Sequence, residues 1–263
     1  MIGRFFRLVV RQMNVQLQIR IFNQYTILLF FLQPLVFSTV GMILARAAGN
    51  QTPDLVYTVI GGGIMGMWSG LVFTSTYDIA RDRRDGMLEL IVGSPTPLAR
   101  VEAIRTFANV LAGLVSLAAA FLAAVLIFKY SLAGANIPAA LLSLLLILFG
   151  MWCIGIFLAN FLVWSRLGGT MVEFVELPVA VLCGFMYPLR VLPVWMQAIS
   201  AVLPISWALQ ALDESLSGGR DLALLGPQWG LAFGISLVFW ALSLWLDGKV
   251  HDRVRITGEL NSI

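Results

Sequence analysis

With 263 residues, 59% of them hydrophobic and only 12% charged, the chain stands far from a water-soluble domain, in which about 25% charged residues are usual. Its formal charge of +3 gives nucleic-acid binding no support. The apolar residues come in long blocks, and at ~20 residues per bilayer crossing six crossings with short loops nearly exhaust the length, leaving no room for a separate soluble catalytic domain.

The chain begins with Arg4, Arg7, Arg11, Asn14 and Gln18 at helical steps, opposite Ile2, Phe5, Phe6, Val9, Met13 and Leu17. This pattern predicts an amphipathic helix over residues 1–20, lying on membrane lipids or on a neighbouring subunit, since the same stripe serves either surface. Membrane helices are predicted over 25–45, 55–79, 104–128, 137–164, 169–187 and 229–246, which makes the fold an all-α integral membrane bundle of six spans. In the second block Gly62, Gly66 and Gly70 recur every four residues and clear one face for close approach of another helix.

The connection after that block, Arg81 to Glu102, predicts a short helix from Met87 to Val92, closed by Gly93, Ser94 and Pro95. Its Met87, Leu88, Leu90 and Ile91 form an apolar knob ringed by charge, suited to a groove on a partner or to folding back onto the bundle. In the fifth block Glu173 and Glu176 lie one turn apart, where a charge near the bilayer centre costs roughly 2.5–3.5 kcal/mol. Either they line a substrate or proton path, or they sit near the inner end of the helix, satisfied by headgroups, Arg166 or the helix N-terminus. The second reading is favoured because both fall in the first two turns. Residues 188–207 are apolar but broken by Pro193, and the stretch Leu192 to Leu203 is too short to cross alone, which predicts a re-entrant element at the outer face.

With the N-terminus inside, thirteen of the 17 Lys and Arg residues fall on cytoplasmic segments, leaving Arg46, Lys129, Arg190 and Arg220 outside. Both termini are then cytoplasmic. Cys153 and Cys183 lie in apolar blocks and read as small hydrophobes. The single histidine, His251, follows the last block, so a histidine base within the membrane is missing and no catalytic or metal site is expected. A phosphate-binding loop needs Gly-Lys followed by Ser or Thr. The one Gly-Lys pair, Gly248-Lys249, is followed by Val250, so ATP-driven work must use a partner's site.

The amphipathic start, the run Arg84-Asp85-Gly86-Met87-Leu88-Glu89-Leu90 followed by Ser94-Pro95, and Gly184-Phe185-Met186-Tyr187-Pro188 followed by Leu192-Pro193-Trp195 occur in a telling order. With Leu203-Pro204-Ile205-Ser206-Trp207 before the last block, they resemble the membrane subunit of ABC transporters of the ABC-2 type over nearly the whole chain. The resemblance implies that Asp85, Gly86, Met87, Leu88, Glu89 and Leu90, with Ile91 beside them, form a coupling helix seated on a separate ABC ATPase subunit. It implies an outer re-entrant hairpin closing the pathway, around Tyr187, Pro188, Pro193, Trp195 and Pro204. Two permease chains would pair with two ATPases, which hold the ATP and Mg2+, in a bacterial inner membrane. Drugs, other hydrophobic small molecules or lipid-linked glycans are the expected cargo. Met87 departs from the threonine that many relatives carry. A competing reading is an ion-coupled secondary transporter relaying through Glu173 and Glu176. A membrane-bound enzyme is weaker, for want of a placed base or metal site.

Overall fold

In a bilayer every backbone N–H and C=O must find a partner within the protein, which a helix provides along its own length. A computed structural model describes residues 14, 32–47, 56–87, 98–126, 135–165, 170–217 and 222–257, and these are helical, with no strand among them. The elements are α1 (Gln33–Ala47), α2 (Gly61–Arg84), α3 (Leu98–Leu126), α4 (Ile137–Ser165), α5 (Thr170–Cys183), α6 (Val194–Ser200), α7 (Pro204–Leu216) and α8 (Leu222–Thr257). One wide π-helical turn, Val56–Ile60, leads into α2, and Ser38 Oγ donates to the Val59 carbonyl at 3.1 Å. Almost all of the amphipathic segment 1–20, the start of the 25–45 block, and Leu88 to Ile91 fall outside the described residues.

Three helical stretches among the described residues are long and apolar enough to cross a membrane: Arg100–Leu122, Ile137–Leu162 and Ala223–Lys249. A fourth is added if α6 and α7, bent by 99° at their junction, count as one. The predicted spans 104–128, 137–164 and 229–246 coincide with these three stretches, and the bent pair lies outside the predicted six. At 1.5 Å per residue α2 is about 36 Å long, enough to cross, but it is rich in Gly, Ser and Thr. Its neighbours explain that composition: α1, α3, α4 and α5 pack around it. Ile64, Met67, Trp68 and Leu71 are thereby fully enclosed, so α2 faces protein where a peripheral helix faces lipid. At 14 residues α5 is about 21 Å long, short of the ~30 Å hydrocarbon core. It stops at Gly184, whose φ of 67° turns the chain before Tyr187.

Lipid tails are as apolar as leucine, so helices in a membrane associate through close packing and polar cross-links. Both occur here. α4 packs on α8, α7 and α3. Asn160 Nδ2 of α4 donates to Ser243 Oγ of α8 at 2.9 Å and to the Ser243 carbonyl at 3.1 Å, and Trp229 Nε1 donates to Ser143 Oγ at 2.9 Å. α8 carries its apolar residues around its whole circumference, with Leu231, Phe233, Val238, Trp240 and Leu244 left outward.

The α1–α2 contact uses the glycine face. A Cβ built on Gly62 would meet the backbone of α1 at Ser38 N (2.9 Å) and Pro34 O (3.0 Å). One on Gly66 would meet Ser116 Oγ of α3 (2.5 Å) and Pro34 Cδ (3.0 Å). Gly70, the third of the series, is buried, and its carbonyl accepts from Thr74 Oγ1 at 2.5 Å. Because backbone cannot yield as a side-chain tip can, Gly62→Leu is expected to destabilise the bundle by about 1–3 kcal/mol through overpacking. Thermal denaturation in detergent checks this, and wild-type stability would refute the tight α1–α2 contact.

Candidate functional site

α2 and α3 flank the connection of residues 85–97, and their facing ends carry opposite charges. Asp82 sits in the last turn of α2, while Glu102 and Arg105 sit three apart near the start of α3. The Arg105 guanidinium bridges the two helices: Nη1 pairs with Asp82 Oδ2 and, at 3.2 Å, with Glu102 Oε1. The three side chains are 14%, 15% and 2% exposed, so the pairing is sheltered from water and its attraction little screened. Further along the same seam Asn109 Nδ2 donates to Ser75 Oγ at 3.2 Å, and Ser116 Oγ donates to the Gly63 carbonyl at 3.1 Å. Trp152 Nε1 of α4 donates to the Ala103 carbonyl at 2.8 Å, tying α4 to the start of α3. A reading of single residues counts Arg105 only among the cations of one membrane side. The signal that finds this site is Glu102 and Arg105 at i, i+3 opposite Asp82 across a helical hairpin.

Of the predicted coupling segment the structure describes three residues. α2 ends as Asp85 N donates to the Arg81 carbonyl at 2.9 Å, and Arg81 Nε lies 3.6 Å from Asp85 Oδ2 on the exposed surface. Gly86 then takes φ 67°, a left-handed conformation that glycine adopts without penalty, with open space where a Cβ would stand. Met87 projects outward, 50% exposed. Leu88, Glu89, Leu90 and Ile91 lie outside the described residues.

Glu173 and Glu176 both fall in α5. Glu176 is 8% exposed and accepts a hydrogen bond from Ser69 Oγ of α2, which in turn accepts from Gln33 Nε2 of α1 at 2.8 Å. Its backbone carbonyl accepts from Trp68 Nε1 at 3.1 Å. Glu176 is thus partnered by a serine and, behind it, a glutamine, while Arg166 and the Glu173 side chain lie outside the described residues. Neither the serine nor the glutamine is conspicuous in a membrane helix, which is why the sequence shows the costly carboxylate and hides its partner.

Beyond α5, Phe185 is fully buried and meets the Trp68 ring edge-on, the centroids 6.4 Å apart. Tyr187 Oη donates to the Val181 carbonyl at 2.8 Å and closes the turn. Pro188 precedes the 3-10 turn Leu189–Val191, Pro193 caps α6, and Pro204 is buried at the first position of α7, where a missing N–H costs nothing. Trp195 on α6 is 65% exposed. The predicted element at 188–207 is a pair of helices in a sharp V, held by Ser200 Oγ donating to Ser206 Oγ at 3.1 Å and Trp207 Nε1 donating to the Ala201 carbonyl at 2.9 Å.

The arrangement is mechanical in character. A charged cross-link ties two long helices at the root of an exposed turn, a buried polar knot ties α1, α2 and α5, and a bent helix pair follows the α5 turn. Residues 4–216 match a family model described as ABC-2 type transporter. No curated protein matches the chain.

Proposed function

Since the chain belongs to the ABC-2 type transporter family, the membrane-embedded permease of an ABC transporter, we propose that it forms the translocation pathway of an ATP-driven exporter. In this reading two copies, or one copy with a related permease, pair with two ABC ATPase subunits, which bind and hydrolyse Mg-ATP. Cargo is a hydrophobic small molecule or drug, or a lipid-linked glycan. The chain resides in a bacterial inner membrane with both termini cytoplasmic, and the α6–α7 bend is the outer re-entrant gate. The observation that carries the reading is the end of α2, which breaks in a left-handed turn at Gly86 and presents Asp85 and Met87 outward, where an ATPase groove can receive them. ATP-driven closure of the partners then changes the populations of inward-open and outward-open bundles through contacts that differ between the two states.

Co-purification with ABC ATPase subunits in detergent, followed by ATP hydrolysis with and without this chain, tests the proposal. Glu89→Lys is expected to lower transport and stimulated hydrolysis about tenfold, the effect of ~1.4 kcal/mol at the docking surface, while membrane insertion is retained. Wild-type activity in that variant would remove the coupling role. An ion-coupled carrier would instead transport without any ATPase, yet it needs a carboxylate open to the pathway. Glu176 is enclosed and accepts from Ser69, and the Glu173 side chain lies outside the described residues.

A further inference from the structure

Among the described residues, a push on the exposed turn at Asp85–Met87 enters the bundle through α2 and, across the connection, α3. If these were joined by the connection alone, either helix could yield separately and the displacement would be absorbed. We infer that Arg105 is the positioning residue that makes the inner ends of α2 and α3 one rigid unit, so that movement of the coupling segment is passed to both helices at once. The inference rests on the permease reading and adds to it the part that transmits the stroke.

Three observations carry it. Arg105 from α3 engages carboxylates of both helices, and its Asp82 contact crosses between them at the last turn before the connection. Both contacts are made by one nitrogen, Nη1, at the tip of a planar guanidinium, a position that the shorter lysine stem does not reach. Asp82, Glu102 and, one turn earlier on α2, Asp78 all act on Arg105. Without the guanidinium the Asp82–Arg105 contact that ties the two helix ends is lost. Deeper in the seam, Ser75–Asn109 and Ser116–Gly63 continue the contact, and Trp152–Ala103 extends it to α4. A displacement at the turn thus has a continuous, hydrogen-bonded route into the bundle.

The test uses the complete complex of this chain with its ATPase in lipid vesicles, and reads cargo transported per ATP hydrolysed. Arg105→Met is expected to lower that ratio at least about fivefold, the low end of coupling between distant sites. Arg105→Lys is expected to recover part of it, because the ammonium keeps the charge and the donors but stands one bond short of the Nη1 position. A structural role alone would lower the yield or melting temperature of the complex and leave the ratio of the surviving molecules unchanged, and that outcome overturns the inference. If Arg105→Met does not fold, the pair Asp82→Cys with Arg105→Cys, in a chain with Cys153 and Cys183 replaced by alanine, keeps the question open to measurement. Bridging the two thiols with a short bis-methanethiosulfonate, which forms one disulfide with each cysteine and releases a methanesulfinate from each end, should raise the ratio in the same protein preparation, and equal ratios before and after bridging overturn the inference. A wild-type chain that binds no ATPase removes the permease reading and this inference with it, whereas a coupled wild-type complex with a fully coupled Arg105→Met removes this inference alone.

Discussion

Trp68→Ala is expected to be among the most destabilising single substitutions in the bundle, costing about 3–5 kcal/mol, the range for emptying a site that held a fully buried aromatic ring. Trp68 has no exposed surface and lies in the middle of α2, which other helices enclose. In a bilayer the loss does not come from exposing apolar surface to water. It comes from dispersion contacts that no neighbour can replace, because α2 already meets the α1 backbone at Gly62 and the Pro34 ring and Ser116 side chain at Gly66, and cannot move closer. The indole also donates to the Glu176 carbonyl at 3.1 Å. Trp68→Phe separates the two contributions: it keeps most of the ring volume, loses the N–H, and should cost about 1–2 kcal/mol. Stability in detergent, followed by the temperature at which the monodisperse peak is lost, measures both. A Trp68→Ala cost below that of Trp68→Phe would mean that α2 is not the packed centre.

The elements that meet lipid were the most legible in the sequence. α3, α4 and α8 coincide with long apolar blocks because lipid selects apolar side chains on every exposed face, as Val115, Leu122, Leu141, Leu145 and Val238 illustrate. Their ends were less legible, since hydropathy falls at the interface while a helix does not stop there. The predicted block at 229–246 sits inside a helix running from Leu222 to Thr257. α2 reads as a block with a glycine stripe, and the stripe indicates close approach without saying which helix approaches. The structure assigns Gly62 to α1 and divides Gly66 between α1 and α3.

The site divides in the same way. A carboxylate in an apolar block is conspicuous, so Glu176 stood out, but Ser69 and Gln33 did not. The Asp82–Arg105–Glu102 cross-link was hidden for a different reason. Charge at a membrane boundary has the ready explanation of facing water or headgroups, and only the antiparallel placement of α2 and α3 turns three boundary charges into one buried cluster. The bent pair α6–α7 was visible as an interruption through Pro193 and Pro204. Its second arm was not, because Asp213 and Glu214 end the apolar pattern while the helix continues to Leu216.

Gly184→Val should cost about 2–4 kcal/mol, the sum of a left-handed backbone forced on a β-branched residue and of overpacking at its Cβ. Gly184 holds φ at 67°. A Cβ there would stand 2.8 Å from the Tyr187 carbonyl oxygen and 2.8 Å from Leu189 Cδ2, and only the leucine can move aside. Gly184→Asn divides the effect, since asparagine tolerates the left-handed region but still carries the Cβ; a cost near that of valine would make the Tyr187 approach dominant. The consequence extends to Trp68, because the next residue, Phe185, is the one wedged against its ring. Displacing the turn withdraws Phe185 from a contact that Trp68→Ala has already destroyed. The double variant should therefore lose less stability than the two single losses combined, by about 0.5–3 kcal/mol, the range for residues that share a partner. Simple additivity would mean that the α5 turn is anchored without Trp68, and that the route from the buried centre of α2 to the bent pair α6–α7 runs through some other contact.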